Sequence, residues 1–348
     1  MTMPKASIII ATYNRAHLLD RCLEALGRQA FEPGDEVIIV DNGSTDHTAA
    51  IIARHSRSFP VLVRRLEERR PGKSHALATA SRVAGGDIWV FTDDDVVVAP
   101  TWLAVIRETF EDSAVALAGG PVAPQWEQPA PRWLRRGVKN DRLWAPLALI
   151  DYGPTACELG ERTLLGANMA IRRDVMRQVG GFSTALGKLR GTLRSGEDDD
   201  LCQRVQAAGF CAWYVPRAIV HHSVPSHRMR LRYYLAWFYW SGVTLALLDS
   251  HGPQASRQVL GLPGYLIRRA ATSLAGFPLA ALAGGAGEAV ERILDVAFTI
   301  GYAAQRWGLV DDEGATPPAT PESPGGDHHE MDISAGALNR ESGHTTPP

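Results

Sequence analysis

Residues 87–95 read Asp-Ile-Trp-Val-Phe-Thr-Asp-Asp-Asp, an apolar, β-branched and aromatic run that stops abruptly at three carboxylates. So continuous an apolar run suits a strand covered on both faces, as in a mostly parallel sheet. In open α/β sheets ligands bind beyond the carboxyl ends of the strands, so Asp93, Asp94 and Asp95 are expected at such a crevice or its rim. Along an extended chain Asp93 and Asp95 point one way and Asp94 the other. Three adjacent like charges repel, a cost that a bound divalent cation removes. The plainer alternative is a solvated acidic loop before the helix that Pro100 and Thr101 begin.

The surrounding chain repeats the pattern. Strand-like Ser7 to Ala11, Val37 to Val40 and Val61 to Leu66 alternate with amphipathic stretches at Arg15 to Gln29, Asp46 to Ser56 and Ser74 to Val83. Alternation of this kind signals βα units around a mostly parallel sheet. The first strand ends in Ala11-Thr12-Tyr13-Asn14, and the absence of GxGxxG there argues against a dinucleotide-binding Rossmann enzyme. The second ends in Asp41-Asn42-Gly43-Ser44, a turn leading into a helix rather than a hairpin. From Pro121 to Gly160 the pattern gives way to a Pro- and Trp-rich stretch that reads as functional loops. Regularity returns at Thr163 to Arg172, Asp174 to Val179, a helix opening with Gly196-Glu197-Asp198-Asp199-Asp200, and strands at Cys211 to Val215 and Ala218 to His221, with His222 following.

The 348 residues carry 36 Lys and Arg against 38 Asp and Glu, a formal charge of −2. That balance leaves little support for nucleic-acid binding by phosphate neutralisation. From Asp311 onward eight acids face one base, Arg340, a net of −7, so the rest of the chain carries +5. This Pro/Gly/Ser/Thr-rich segment, 311–348, reads as a disordered acidic tail. Residues 226–310 read as a helical extension, basic and aromatic at first (Arg228, Arg230, Arg232, Tyr233, Trp237) and then apolar. Its uncharged stretch Ala271 to Gly287 is shorter than a spanning helix needs, so the extension is expected to lie against a membrane or pack on the preceding domain. Four cysteines without a CxxC pair, and no secretion signal, favour a reducing, cytoplasmic setting.

Taken in order, Ile8-Ile9-Ile10-Ala11-Thr12-Tyr13-Asn14-Arg15, Val40-Asp41-Asn42-Gly43-Ser44-Thr45-Asp46, Gly72-Lys73-Ser74-His75-Ala76-Leu77, Phe91-Thr92-Asp93-Asp94-Asp95, Gly166-Ala167-Asn168-Met169-Ala170-Ile171-Arg172, Gly180-Gly181-Phe182 and Gly196-Glu197-Asp198-Asp199-Asp200-Leu201 closely resemble the motifs of family 2 glycosyltransferases. The resemblance covers about residues 5–225. It implies an α/β fold of the GT-A type, a Rossmann-like mixed sheet flanked by helices, over residues 1–225, and transfer of a sugar from a nucleotide-diphosphate donor with inversion at the anomeric carbon. By the same resemblance Ala11, Thr12, Tyr13, Asp41 and Asn42 take the nucleoside, and Lys73, Asp93 and Asp94 lie on the donor side. Many relatives have Asp where this chain has Asn42; the Asn carbonyl can still accept a hydrogen bond from a base, and the donor stays open among UDP, dTDP and GDP sugars.

The family's metal motif falls on Asp95 and Asp93, with His222 completing a Mg2+ or Mn2+ or diphosphate site. Its acidic pair makes Asp198 the general base for the acceptor hydroxyl, at an ordinary carboxylate pKa, with Glu197 sharing that role or binding the acceptor. As first-turn acids, Asp199 and Asp200 read as helix capping. Trp126 and Trp133 either stack on the acceptor or anchor a lid, and Gly166 and Asn168 are the other candidate acceptor contacts. The acceptor would be a glycan or lipid-linked hydroxyl in cell-envelope or exopolysaccharide assembly, reached from the cytoplasmic face with peripheral membrane association. Two rivals remain at this stage, a non-catalytic nucleotide-sugar or glycan binding module and another metal-dependent sugar-nucleotide-handling transferase.

Overall fold

Three apolar runs, each buried along almost its whole length, form the centre of the sheet: β1 (Ala6–Thr12), β2 (Glu36–Asp41) and β4 (Ile88–Asp93). Burial of each of Ile8, Ile9 and Ile10 contributes on the order of 2 kcal/mol relative to exposure. The computed structural model describes residues 3–135, 142–183, 186, 192–193, 196–250, 258–284 and 286–310. The acidic tail expected at 311–348 lies outside the described residues.

Helix α1 (Ala16–Leu26) follows β1 and buries Leu19, Cys22, Leu23 and Leu26 on one face. Helix α2 (Thr48–Ser56) follows β2, and α3 (Lys73–Ser81) follows the edge strand β3 (Leu62–Glu67). Because β3 is an edge, it exposes Arg64 and Arg65, charges that discourage further strand pairing. After β4 come β5 (Val96–Val98), α4 (Trp102–Thr109), β6 (Val115–Gly119), β7 (Val122–Trp126) and the single turn α5 (Arg132–Arg135). The chain continues through β8 (Cys157–Glu158), β9 (Asn168–Arg172), α6 (Arg173–Val179), α7 (Glu197–Ala207), β10 (Cys211–Tyr214) and β11 (Val220–Val224).

The main sheet runs β3-β2-β1-β4-β9-β6-β10-β8. Strands β3, β2, β1 and β4 are parallel, β9 is antiparallel to both β4 and β6, and β8 closes the far edge antiparallel to β10. Register sets the site: Thr12 lies opposite Asp41 and Ala11 opposite Asp93, so three strand ends deliver their polar residues to one rim. A second sheet, β5-β11-β7, abuts this rim. There His222 pairs with Val96, and the Ser223 N–H donates to the Asp95 carbonyl at 2.9 Å. His222 therefore lies within a strand, whereas the sequence suggested that it follows one.

The expected loop region 121–160 contains β7, α5 and β8, each paired with or packed on the core. Helices α8 (Leu231–Ser250), α9 (Gly264–Leu279) and α10 (Ala286–Arg306) belong to the same compact unit as the residues before them, which spans 1–315. Tyr234, Phe238 and Leu294 enter the main core, so α8 and α10 pack on the sheet-bearing body. Among the described residues no helix is long and apolar enough to cross a membrane.

Candidate active site

The chain turns immediately after β4, and the turn overrides the strand alternation expected for the three aspartates. Asp94 and Asp95 are both buried and share one cation: Arg15 Nη1 donates to Asp94 Oδ1 at 2.8 Å and to Asp95 Oδ2 at 2.9 Å. Asp94 also accepts the Thr12 hydroxyl at 2.8 Å. Asp93 pairs with Lys73 at the start of α3. The carboxylate repulsion read from the sequence is thus offset by two of the protein's own cations. One group remains open. Asp95 Oδ1 is buried without a hydrogen-bond partner, and His222 Nε2 stands 3.3 Å away. Burial pushes the Asp95 carboxyl up, but His222 and Arg15 outweigh it and hold the group well below the usual carboxylate range.

A buried, ionised oxygen with an imidazole beside it fits a hard divalent cation in ligand type. Among the described residues no group of three or more His, Cys, Asp and Glu side chains is arranged to hold a metal alone. That matches the way Mg2+ is usually held, by one or two carboxylates together with substrate phosphates.

Beside this cluster Asp41 and Asn42 serve the loops. Asp41 accepts the Ser44 N–H at 2.8 Å and pairs with Arg65 at 3.1 Å, and it does not line the cleft. Asn42 lines it, but its amide donates to the Glu68 and Arg70 carbonyls and its carbonyl accepts the Gly72 N–H at 2.9 Å. These bonds hold the loop that presents Lys73.

The second acidic set opens α7. Its first residues take up distinct tasks: Asp199 accepts the Thr163 hydroxyl at 2.6 Å, and Asp200 pairs with Arg204, which donates to the Val179, Gly180 and Gly181 carbonyls. Glu197 is buried, and Asp198 is half-buried with Oδ2 accepting the Gly166 N–H at 2.8 Å. Burial, reinforced by the Glu197 carboxylate and opposed by Lys73, pushes Asp198 up to about 7. An ordinary carboxylate pKa was the sequence expectation; the structure places this carboxyl near neutrality instead. Lys73 in turn is held protonated, against the cost of its burial, by Asp93, Asp198 and Glu197. One cation therefore bridges the two acidic sets.

Gly166, expected as an acceptor contact, donates its N–H to this carboxylate. A Cβ there would lie 2.6 Å from Asp198 Oδ1, so Gly166→Ala must displace the carboxylate. Turnover is expected to fall about tenfold to a hundredfold, with nucleotide affinity little changed, as checked by steady-state kinetics beside nucleotide titration.

The cleft between these sets has a volume of about 880 Å³. Ala11, Thr12, Tyr13, Lys73, Asp93, Asp94, Asp95, Glu197, Asp198 and His222 all line it. None of the four expected acceptor contacts, Trp126, Trp133, Gly166 and Asn168, does. Asn168 is 0% exposed, and its amide is spent on Trp102 Nε1 at 2.8 Å and on the Pro121 and Ala218 carbonyls, where it ties β9 into the fold. Trp133 packs edge-on against Tyr234 at 4.9 Å, and Trp126 ends β7 beside Val224 and packs on the core. Conversely, Arg15, Arg228, Tyr233 and Trp237 line the cleft without having been singled out as site residues. Arg228 is only 9% exposed and, among the described residues, its guanidinium has no hydrogen-bond or ion-pair partner. The basic stretch seen in the sequence thus divides, with Arg230 and Arg232 exposed and Arg228 turned inward.

Comparison with known proteins follows this geometry. A family model described as Glycosyl transferase family 2 matches residues 7–180. A glucosyl-dolichyl phosphate glucuronosyltransferase of Haloferax volcanii is 26% identical over 257 residues, covering 72% of this chain and 80% of that protein. The succinoglycan biosynthesis protein ExoM of Rhizobium meliloti is 28% identical over 254 residues, covering 72% and 76%. The solved structure of mannosyltransferase PcManGT from Pyrobaculum calidifontis in complex with GDP-Man and Mn2+ superposes with a TM-score of 0.58 at 22% identity, over 88% of both chains. GalNAc-T7 with UDP, GalNAc and Mn2+ gives a TM-score of 0.51 at 16% identity, covering 72% of this chain and 52% of that one.

Proposed function

We propose, for a chain that belongs to glycosyl transferase family 2 and has the GT-A fold, metal-dependent, inverting transfer of a sugar from a nucleotide-diphosphate donor to the hydroxyl of a glycan or lipid-linked acceptor. The observation that carries the reading is the pairing of two acidic sets, Asp93 to Asp95 and Glu197 with Asp198, across one cleft and around one lysine, Lys73. The names of the relatives, one acting on a glucosyl-dolichyl phosphate and one in succinoglycan synthesis, support cell-envelope or exopolysaccharide assembly.

Thr12, Tyr13 and the Asn42 carbonyl would border the nucleoside. Asp95 and His222, with Asp93 nearby, would hold Mg2+ or Mn2+, as the Mn2+ in two structural neighbours also suggests. When bound, the ion acts as a Lewis acid that neutralises charge on the departing diphosphate. Lys73, Arg15 and Arg228 add fixed positive charge at that end of the cleft, already oriented before charge develops. At the other side Asp198, steadied by the Gly166 N–H, takes the proton of the acceptor hydroxyl as its oxygen attacks the anomeric carbon opposite the diphosphate. Attack from that face inverts the configuration.

Thermal-shift measurements with UDP, GDP and dTDP sugars test the donor assignment. One nucleotide class is expected to raise the melting midpoint in the presence of Mn2+ and to lose that effect with EDTA, since a ligand at 100 times its Kd stabilises by about 2.7 kcal/mol. No shift with any of the three, with or without Mn2+, would count against it.

A further inference from the structure

The cleft has a second wall whose chemistry differs from that of the donor side. Trp237, Ser241, Thr244, Leu245 and Leu248 all line it from α8, at the i, i+4, i+7, i+8 and i+11 positions of a single helix face. At 1.5 Å per residue this face extends about 16 Å along the cleft. Phe298 of α10 completes it, held there by a close helix crossing: a Cβ on Gly242 would lie 2.0 Å from the Phe298 carbonyl oxygen, and one on Gly301 1.9 Å from that of Tyr239.

The two hydroxyls on this face do not offer their protons to the cleft. Ser241 Oγ donates to the Trp237 carbonyl at 2.9 Å and Thr244 Oγ1 to the Trp240 carbonyl at 3.0 Å. A groove shaped for a glycan presents hydrogen-bond donors along its length, because each sugar hydroxyl stripped of water needs a partner. This one presents rings, methyl groups and satisfied hydroxyls. Partway along, at Thr244, it adjoins the acidic first turn of α7, since a Cβ on Gly196, the residue before Glu197, would sit 3.6 Å from Thr244 Cγ2. Its outer end reaches solvent at Leu248, which is 44% exposed. The helices that follow leave Leu274, Leu279 and Leu282 uncovered within the uncharged stretch 271–287, with Leu282 88% exposed. Such residues suit contact with lipid better than with water.

We infer that the acceptor is lipid-linked, and that its hydrocarbon chain lies along the α8 face from Thr244 to Leu248 while the hydroxyl it carries is presented to Asp198. The inference rests on the transferase reading, choosing between the glycan and lipid-linked acceptors that reading leaves open. A soluble glycan stacked on Trp237 is the competing occupant.

Farnesyl phosphate bearing a terminal diazirine, added to the full chain in detergent with Mn2+, tests it by photolabelling and peptide mapping. Label is expected on residues 237–248 or on Phe298, competed by unlabelled farnesyl phosphate and not by maltooligosaccharides. Leu248→Asp should cut labelling about tenfold, the equivalent of one lost apolar contact, while Leu248→Met restores it. Because Leu248 is half-exposed, the melting midpoint of the Asp variant should stay within about 2 °C of wild type. Label scattered over other surfaces, or displaced from α8 by the oligosaccharide, overturns the inference. Nucleotide-sugar hydrolysis by the same preparation separates the two readings. Hydrolysis without α8 labelling removes the lipid chain alone, whereas α8 labelling without hydrolysis of any donor keeps the lipid groove and counts against the transferase.

Discussion

Asp198→Asn is expected to lower sugar transfer about a thousandfold, within the range that a positioned general base contributes. The substitution is nearly isosteric. Its amide oxygen can still accept the Gly166 N–H now bound by Oδ2, so the start of α7 should keep its place and donor affinity should change little. What disappears is the ability to take a proton. A transferase that handles sugar nucleotides without an acceptor base would keep most of its activity in this variant. The wild-type pH profile provides the matching test. Because burial and Glu197 raise the Asp198 carboxyl to about 7, the group is protonated below that pH and cannot act as a base. In the free enzyme kcat/KM should therefore fall as pH falls through about 7 and level off above it. Asp198→Asn should flatten that acid limb.

The second large effect is expected at Asp95→Ala, where Mn2+-dependent hydrolysis of the donor should drop at least about a hundredfold, as commonly follows loss of an electrostatic stabiliser of the leaving group. Asp95 supplies the one buried carboxylate oxygen of the cluster that has no hydrogen-bond partner, Oδ1. Removing it leaves His222 alone at that point, while Arg15 keeps Asp94 and Lys73 keeps Asp93. The fold should survive for that reason, as circular dichroism and the metal-free melting midpoint would check. Asp94→Ala is the useful contrast. It leaves the buried Thr12 hydroxyl without its partner while Arg15 keeps Asp95, so it should destabilise the protein by about 1–2 kcal/mol and affect activity through structure rather than metal affinity.

The polar rim at the strand ends was largely legible because strand ends in a parallel sheet are local features. The runs ending at Thr12, Asp41 and Asp93 mark themselves by where their apolar residues stop, and the register then aligns them. Asp198 and Glu197 were readable as the first turn of an amphipathic helix with family-like spacing. Arg15 was not readable, since its partners lie 79 and 80 residues away and only the turn after β4 brings both carboxylates to it. Arg228 and Arg230 differ in burial though they sit two residues apart in one basic run, a difference set by the short 3-10 turn that carries Arg228. Asn168 misled because its sequence neighbours resemble a site loop while its amide is consumed by two carbonyls about 50 residues away on either side. The acceptor wall was hidden for another reason: α8 is apolar and aromatic nearly all round, so no sequence periodicity separates the face in the core from the face in the cleft.

Time-resolved proton NMR of nucleotide sugars incubated with the purified protein and Mn2+ bears most directly on the assignment of this cleft to metal-dependent, inverting sugar transfer. One donor class should lose its sugar to water, the first-formed anomer should have the configuration opposite to that in the donor, and EDTA should stop the reaction. Release of the retained anomer, release that persists at full rate in EDTA, or no release from any UDP, GDP or dTDP sugar would contradict it.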